Sequence, residues 1–175
     1  MKKWILPALV AGGLLCSCST LPPPTTVGSV DLARYCGTWH EIEAFPNVFQ
    51  RGCQGSTATY TALPDGKIRV VNSCVRNGKT VSVTGTATPV PGSNNSRLKV
   101  RFFGPFAGDY WILDLDKNYR WVAVGHPNRQ YLWILARTPN LDSATLARIR
   151  TRLAAQGYDI SRLVASAEAP DREAL

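Results

Sequence analysis

Short stretches rich in Val, Ile, Thr and aromatic residues alternate with polar turn sequences from Gly37 to Arg137. The turn sequences are Pro64-Asp65-Gly66, Asn77-Gly78, 91–95, Lys117-Asn118 and Pro127-Asn128. Eight strands are predicted between and beside them, at about 37–45, 53–62, 67–76, 79–89, 96–103, 109–116, 120–126 and 131–138. Short strands at this spacing predict an all-β sandwich or barrel. The hairpin-sized connections favour an up-and-down antiparallel arrangement, and the end residues described below favour an eight-stranded barrel.

One helix is predicted after the last strand, from Asp142 to Gln156, with Asp142 as N-cap and Gly157 just beyond its end. Leu146, Ile149 and Leu153 form an apolar stripe at helical spacing, and the helix arginines, 148, 150 and 152, are expected to point away from it. The stripe favours packing against the outside of the barrel. A basic helix lying on a membrane is the alternative.

The two ends of the strand series carry residues that suit a closed barrel floor. Gly37-Thr38-Trp39 opens the first strand, and Arg137 closes the last. The indole fills the floor, while the guanidinium stacks on it and donates to backbone carbonyls. Gly37, Trp39 and Arg137 are therefore predicted to be structural. Because side chains alternate along a strand, Trp133 should face the interior above Arg137.

The amino terminus resembles an export signal followed by a lipidation site. Lys2 and Lys3 precede an apolar stretch, and the sequence around Cys18 reads as a site of acylation. This predicts a signal peptide at 1–17, a Pro-rich extended tether at 18–29 and a barrel domain at 30–175. Cys18 would carry palmitate as the lipid anchor, and the barrel sequence offers no second anchor. An ordinary secretory signal is the alternative.

The mature chain would carry 18 Lys and Arg against 12 Asp and Glu. Export and the scattered positions of these residues argue against nucleic acid, so they are interpreted as a solvated surface near an anionic membrane.

Several sequence blocks, in order, resemble the lipocalin family. They are 35–42, 57–60, 102–106, 109–113 and 131–139. The resemblance is to bacterial outer-membrane lipocalins, and also to apolipoprotein D and plant temperature-induced lipocalins. It implies a cavity with Trp133, Tyr60 and Tyr110 in its wall, and Phe49 is placed at its mouth. Aromatic side chains filling the barrel without a ligand are the alternative.

Of the five cysteines, Cys16 would leave with the signal peptide, and Cys18 is preferred to it as the acylated residue because bulky Leu15 would otherwise stand at the cleavage position. Cys53 and Cys74 lie on consecutive strands, where a bulge in the hairpin would bring them opposite each other, so a disulfide is expected. Cys36 is left unpaired. It is a minor candidate for a catalytic nucleophile, although neither His40 nor His126 is an obvious base. No catalytic motif occurs, and with two histidines a His-rich metal site is excluded. No catalytic residue, metal or cofactor is predicted.

The leading hypothesis is a non-enzymatic lipoprotein on the periplasmic face of the outer membrane. By resemblance, its barrel would bind long-chain fatty acids or lysophospholipids for membrane maintenance, and the chain is a candidate homodimer. An envelope protein that mainly binds a protein partner is the second hypothesis, and a Cys36-dependent enzyme is the third.

Overall fold

The computed structural model describes residues 21–167. Its strands are β1 (Gly37–Ala44), β2 (Gln54–Ala62), β3 (Ile68–Arg76), β4 (Lys79–Pro89), β5 (Arg97–Arg101), β6 (Gly108–Leu115), β7 (Trp121–Gly125), β8 (Leu132–Ala136) and β9 (Val164–Ala165). A short helix, α1 (Leu32–Tyr35), precedes β1, and α2 (Ser143–Ala155) follows β8. The signal peptide predicted at 1–17 and Cys18 lie outside the described residues.

The first eight strands form a closed antiparallel barrel. Each strand pairs with the next from β2 to β8, and β1 closes the ring by pairing with both β8 and β2. The predicted fold class is therefore confirmed. The predicted bounds were too long at β5 and β8, and the sequence analysis missed α1 and β9. Among the described residues, no helix is long and apolar enough to cross a bilayer.

The barrel has two different ends. The end where β1 begins is covered by α1 and is called the floor. The opposite end is called the mouth, and it is formed by four connections: 45–53, 77–78, 102–107 and 126–131. At the second of these, Asn77 and Gly78 both have positive φ, as a two-residue hairpin turn requires.

Alternation along the strands separates two apolar clusters. On β8, Leu135 and Trp133 belong to the cluster inside the barrel, together with Trp39. Ile134 and Ala136 belong to the cluster outside it. The outer cluster also contains Ile149 and Leu153 of α2, both fully buried. The predicted stripe therefore packs α2 onto the outer wall.

Two arginines of α2 contradict the prediction that they point away from the barrel. Arg150 donates to both carboxylate oxygens of Glu43, a β1 residue whose side chain is only 5% exposed. Arg152 pairs with Asp114 of β6 at 3.0 Å. Part of the helix's positive charge is thus neutralised by the wall on which the helix lies.

The segment predicted as a tether makes contacts with the barrel from its first described residues. Arg129, in the 126–131 connection of the mouth, donates to the carbonyl of Pro22. Further along, the Val27 amide donates to Ile112 of β6 (3.0 Å), and the Val30 amide donates to Asn94 between β4 and β5 (2.9 Å). The segment therefore runs down the outside of the barrel from mouth to floor.

Near the mouth, β1 and β2 separate. Their pairing stops at His40 and Thr57, and β9 then pairs with Glu43 and Ala44 of β1. On the other side, the Gly55 amide donates to the carbonyl of Ala167 at 2.8 Å. The C-terminal segment 164–167 thus completes the wall in this gap.

Candidate ligand-binding site

Arg137 joins the elements of the floor. Its guanidinium carbon lies 3.8 Å from the centre of the Trp39 ring. Its N–H groups donate to five carbonyls, those of residues 34, 35, 36, 38 and 119, at 2.7–3.3 Å. Trp39 is fully buried and donates to the carbonyl of Tyr35 at 2.9 Å. The N–H groups of a guanidinium lie in its own plane, so the carbonyls around its edge hold Arg137 in place while its face contacts the indole.

Gly37 gives Arg137 room to reach the floor. Its φ is +101°, a left-handed conformation that side chains other than glycine rarely adopt. A Cβ there would lie 3.1 Å from Nη1 of Arg137. Glycine is thus required by both the backbone and the guanidinium.

Three tyrosine hydroxyls meet just above the floor. The Tyr110 oxygen is 2.6 Å from that of Tyr35 and 2.9 Å from that of Tyr60. Burial raises the pKa of Tyr60 to about 12 and those of Tyr35 and Tyr110 well above their ordinary value, so all three are neutral phenols. The three hydroxyl groups have three protons, and the two hydrogen bonds between them use only two. Within the described residues one O–H is therefore left for a ligand oxygen.

Most of the barrel interior around the tyrosines is apolar, and Asn72 of β3, whose buried side-chain oxygen has no hydrogen-bond partner among the described residues, is a polar exception. The buried side chains of this interior cluster include Ile68, Val70, Ala87, Leu98, Ile112, Val122, Val124 and Leu135. Phe102 and Trp133 pack against them and are only partly buried. An apolar wall with a few hydroxyl and indole donors suits an acyl chain.

A polar network lies at the top of this wall. The Trp133 indole donates to the side-chain oxygen of Gln50 at 3.1 Å. The Gln50 amide donates to Glu41, which also accepts from the hydroxyl of Ser166. The network connects the 45–53 connection, β1 and the C-terminal segment across the mouth.

A pocket of about 440 Å³ opens beside this network. It lies where β1 and β2 separate, and its walls come from β1, the 45–53 connection, the start of β2 and residues 164–167. Glu41 and Gln50 line it. Since Gln50 also bonds Trp133, its side chain lies between the pocket and the barrel interior.

Comparison with known proteins agrees with this architecture. The family model of the lipocalin-like domain matches residues 30–168. The outer membrane lipoprotein Blc of Escherichia coli K12 is 36% identical over 165 residues, 91% of this chain and 93% of that protein. Temperature-induced lipocalin-1 of Arabidopsis thaliana is 39% identical over 146 residues, 78% of each chain.

The chain belongs to the lipocalin family. Insecticyanin from the tobacco hornworm Manduca sexta shares the fold, with a TM-score of 0.69 over 84% of this lipocalin and 85% of that chain, at 22% identity. The family predicted from the sequence blocks is thereby confirmed.

The residues predicted to bind ligand in this lipocalin occupy three levels. Tyr60 and Tyr110 are at the base, Trp133 is near the top, and Phe49 is outside, at the mouth, with 71% of its surface exposed. The sequence analysis missed Tyr35 and Gln50. Tyr35 lies in α1, outside any predicted strand, and a glutamine in a connection carries no sequence signal of its role.

The disulfide predicted between Cys53 and Cys74 is present, with 5.5 Å between the Cα atoms. The register of β2 and β3 shifts by one residue between Gln54 and Thr57, but Gln54 still lies opposite Val75, so Cys53, just before β2, reaches Cys74 diagonally and not as its direct partner. Arg76 donates to the carbonyl of Phe49 at 3.0 Å and lies 3.3 Å from the Cys53 sulfur. The bridge and this arginine therefore attach the 45–53 connection to β3.

Neither histidine is placed to act as a base for the Cys36 thiol. Cys36 is a free, half-buried thiol at the floor, whereas His126 is in a mouth connection beside Asp109. His40 follows the inward-facing Trp39 and pairs with Ala136 of the outer cluster, so its side chain points out of the barrel. A Cys36–histidine dyad is therefore not assembled.

Proposed function

We propose that this lipocalin binds a long-chain fatty acid or a lysophospholipid inside its barrel, with the acyl chain along the apolar wall. The observation that supports this most directly is the cluster of apolar side chains inside the barrel, which contains Tyr60 and includes Trp133 at its edge. The free phenolic O–H at the base and the Gln50 amide at the top are hydrogen-bonding groups for the polar parts of such a ligand.

The proposal includes the site of action. A signal peptide at 1–17, acylation with palmitate at Cys18 and attachment to the periplasmic face of the outer membrane would place the barrel among phospholipids. The relative from Escherichia coli is named as an outer membrane lipoprotein, which supports this location. Lipid storage or transport for membrane maintenance follows as the role, without catalysis, cofactor or metal. A homodimer is part of the proposal only by family resemblance.

Native mass spectrometry of protein extracted from membranes tests the ligand. We expect a co-purifying species with the mass of a fatty acid or lysophospholipid, and an empty barrel would contradict the proposal. Trp133→Ala should weaken the affinity for a fluorescent fatty acid by about tenfold, the loss expected when much of an aromatic contact is removed. Trp111→Ala is the matched control, because Trp111 packs on the outer wall.

The anchor is tested separately. Mass spectrometry of the mature N-terminal peptide should show a chain that begins at Cys18 and carries acyl groups. A chain that begins elsewhere, or an unmodified Cys18, would refute the lipoprotein part and leave the ligand proposal standing.

A further inference from the structure

The large apolar side chains that are exposed to solvent collect at one end of this molecule. Four of them lie in two mouth connections: Val48 and Phe49 are each 71% exposed, Phe103 is 71% exposed and Phe106 is 84% exposed. We call these four residues the mouth rim. An apolar group of this kind on a soluble domain marks a surface that is covered by something else in function.

The connections at the same end carry charge of one sign, while the adjoining strands add Glu41 and Asp109, of which Asp109 pairs with Lys99. The four mouth connections, taken with the strand residue on each side, contain five basic residues and no acidic one. The basic residues are Arg51, Arg76, Lys79, Arg101 and Arg129. None of the five forms an ion pair within residues 21–167. Arg51, Lys79 and Arg101 are exposed and can meet an anionic surface, whereas Arg76 and Arg129 are half-buried and donate to backbone carbonyls.

The floor does not share this pattern. Its connections, counted in the same way and with α1 included, hold six basic and four acidic residues. Two ion pairs form there, Lys67 with Asp65 and Arg120 with Asp116, each at 2.7 Å. Only the mouth combines exposed aromatic rings with uncompensated positive charge, which is the composition of an interfacial membrane-binding surface.

The path of the N-terminal segment brings the same end to the bilayer. Pro22 is held at the mouth by Arg129, and Leu21 is 60% exposed there. Cys18 is three positions before Leu21, so the chain allows at most about 10 Å between them. An acyl anchor at Cys18, which belongs to the proposed function, would therefore emerge beside the mouth rim.

We propose that the mouth rim docks on an anionic phospholipid bilayer, so that the open end of the barrel faces the membrane. Val48, Phe49, Phe103 and Phe106 enter the boundary between head groups and acyl chains, and the exposed arginines and Lys79 lie over the lipid phosphates. The mouth rim thus adds to the acyl anchor a second membrane contact, which the sequence analysis did not find in the barrel. In this orientation a lipid passes between bilayer and barrel without crossing open water.

Vesicle co-sedimentation of the mature chain without its acyl group tests the surface by itself. A chain that starts at Ser19 is suitable, because the barrel and both apolar clusters lie within residues 21–167. We expect binding to vesicles of phosphatidylethanolamine and phosphatidylglycerol in equal amounts, and much weaker binding to phosphatidylcholine alone. Raising the salt from about 0.1 M to about 1 M should weaken binding, because the Debye length then falls from about 10 Å to about 3 Å.

The double variant Phe103→Ser, Phe106→Ser should bind these vesicles at least about tenfold more weakly. Lys117→Gln at the floor is the charge control and should bind like wild type, whereas Lys79→Gln should bind less. In a further measurement, brominated lipids should quench the fluorescence of the tryptophan introduced by Phe106→Trp. They should not quench that of the tryptophan introduced at the floor by Leu63→Trp.

Absence of vesicle binding, or equal binding by the double variant, would overturn the proposal. A double variant that changes the oligomeric state in analytical ultracentrifugation, with vesicle binding unaltered, would overturn it in favour of a contact with a second copy. Fatty-acid affinity measured without vesicles reports the proposed function alone, so either idea can fail while the other stands.

Discussion

The guanidinium carbon of Arg137 lies 3.8 Å from the centre of the Trp39 ring, and its N–H groups donate to five backbone carbonyls of the floor. We expect Arg137→Lys to lower the free energy of unfolding by about 2–4 kcal/mol, because an ammonium keeps the charge but cannot serve five acceptors. Arg120→Lys is the matched control. Its side chain is 69% exposed in a surface ion pair, so it should cost under about 1 kcal/mol. Chemical denaturation measures both, and equal losses would contradict the floor's dependence on Arg137.

Trp39 and Trp133 should differ in the effect of their removal. Trp39→Ala leaves a large hole in a fully buried site and should cost about 3–5 kcal/mol of stability. Trp133→Ala removes a partly buried side chain at the top of the interior, so fatty-acid affinity should fall with a smaller loss of stability. Thermal unfolding and a ligand titration of the same two variants check this. The reverse result would invert the assignment of floor and cavity.

Replacing Arg150 should loosen α2 from the barrel. Arg150→Met leaves the Glu43 carboxylate buried without its partner, at an expected cost of about 3–5 kcal/mol. The double variant Glu43→Met, Arg150→Met should recover most of that loss, because no buried charge remains. Arg152→Met is the control, since the Arg152 side chain is 55% exposed and its pair should contribute little. Urea denaturation of wild type, Glu43→Met, Arg150→Met and the double variant gives the coupling energy, which should be near zero if the pair is only incidental.

Alkaline pH should destabilise the fold through the tyrosine cluster. Burial raises the pKa of Tyr60 to about 12 in the folded state, against about 10 in an unfolded chain. The folded state then holds this proton more tightly. The resulting stability is fully present below pH 10 and is lost as pH rises through about 12, on the order of 3 kcal/mol for this group.

Denaturation midpoints measured at about pH 9 and about pH 11 check this prediction. In Tyr60→Phe the midpoint should fall less between these pH values than in wild type, because the Tyr60 hydroxyl no longer titrates. Some fall should remain, because Tyr35 and Tyr110 still titrate. An equal fall in the two proteins would show that Tyr60 is not the source.

The fold could be predicted because its signals are local. Asn77-Gly78 specifies a hairpin turn from two residues, and the alternation along β8 gave the correct inner face. Asp142 accepts from the Thr145 amide at 2.8 Å, as its N-cap assignment requires. Each of these features depends on residues a few positions apart, so the sequence alone carries them.

The missed features depend on residues that only the closed barrel brings together. Glu43 meets Arg150 because of how α2 is rotated on the wall, and helical spacing does not determine that rotation. The two-residue β9 has no alternation to detect, since its place is set by the gap between β1 and β2. Phe106 resembles a core aromatic in sequence, and Phe49 was placed at the mouth without its exposed apolar neighbours. The end of the barrel that carries them becomes visible only when the loops are assembled.

The way the barrel closes also sets an order for its folding. The pairings from β2 through β8 join neighbours in sequence and can form as successive hairpins. The ring closes only when Glu41 pairs with Leu135, a contact across roughly a hundred residues, and such non-local contacts are what slow the folding of β proteins. Completing the wall at the mouth requires Val164 as well, which lies still later in the chain. The interior of the barrel is therefore the last part of the molecule to be enclosed, and a chain cut short before β9 would leave its wall open.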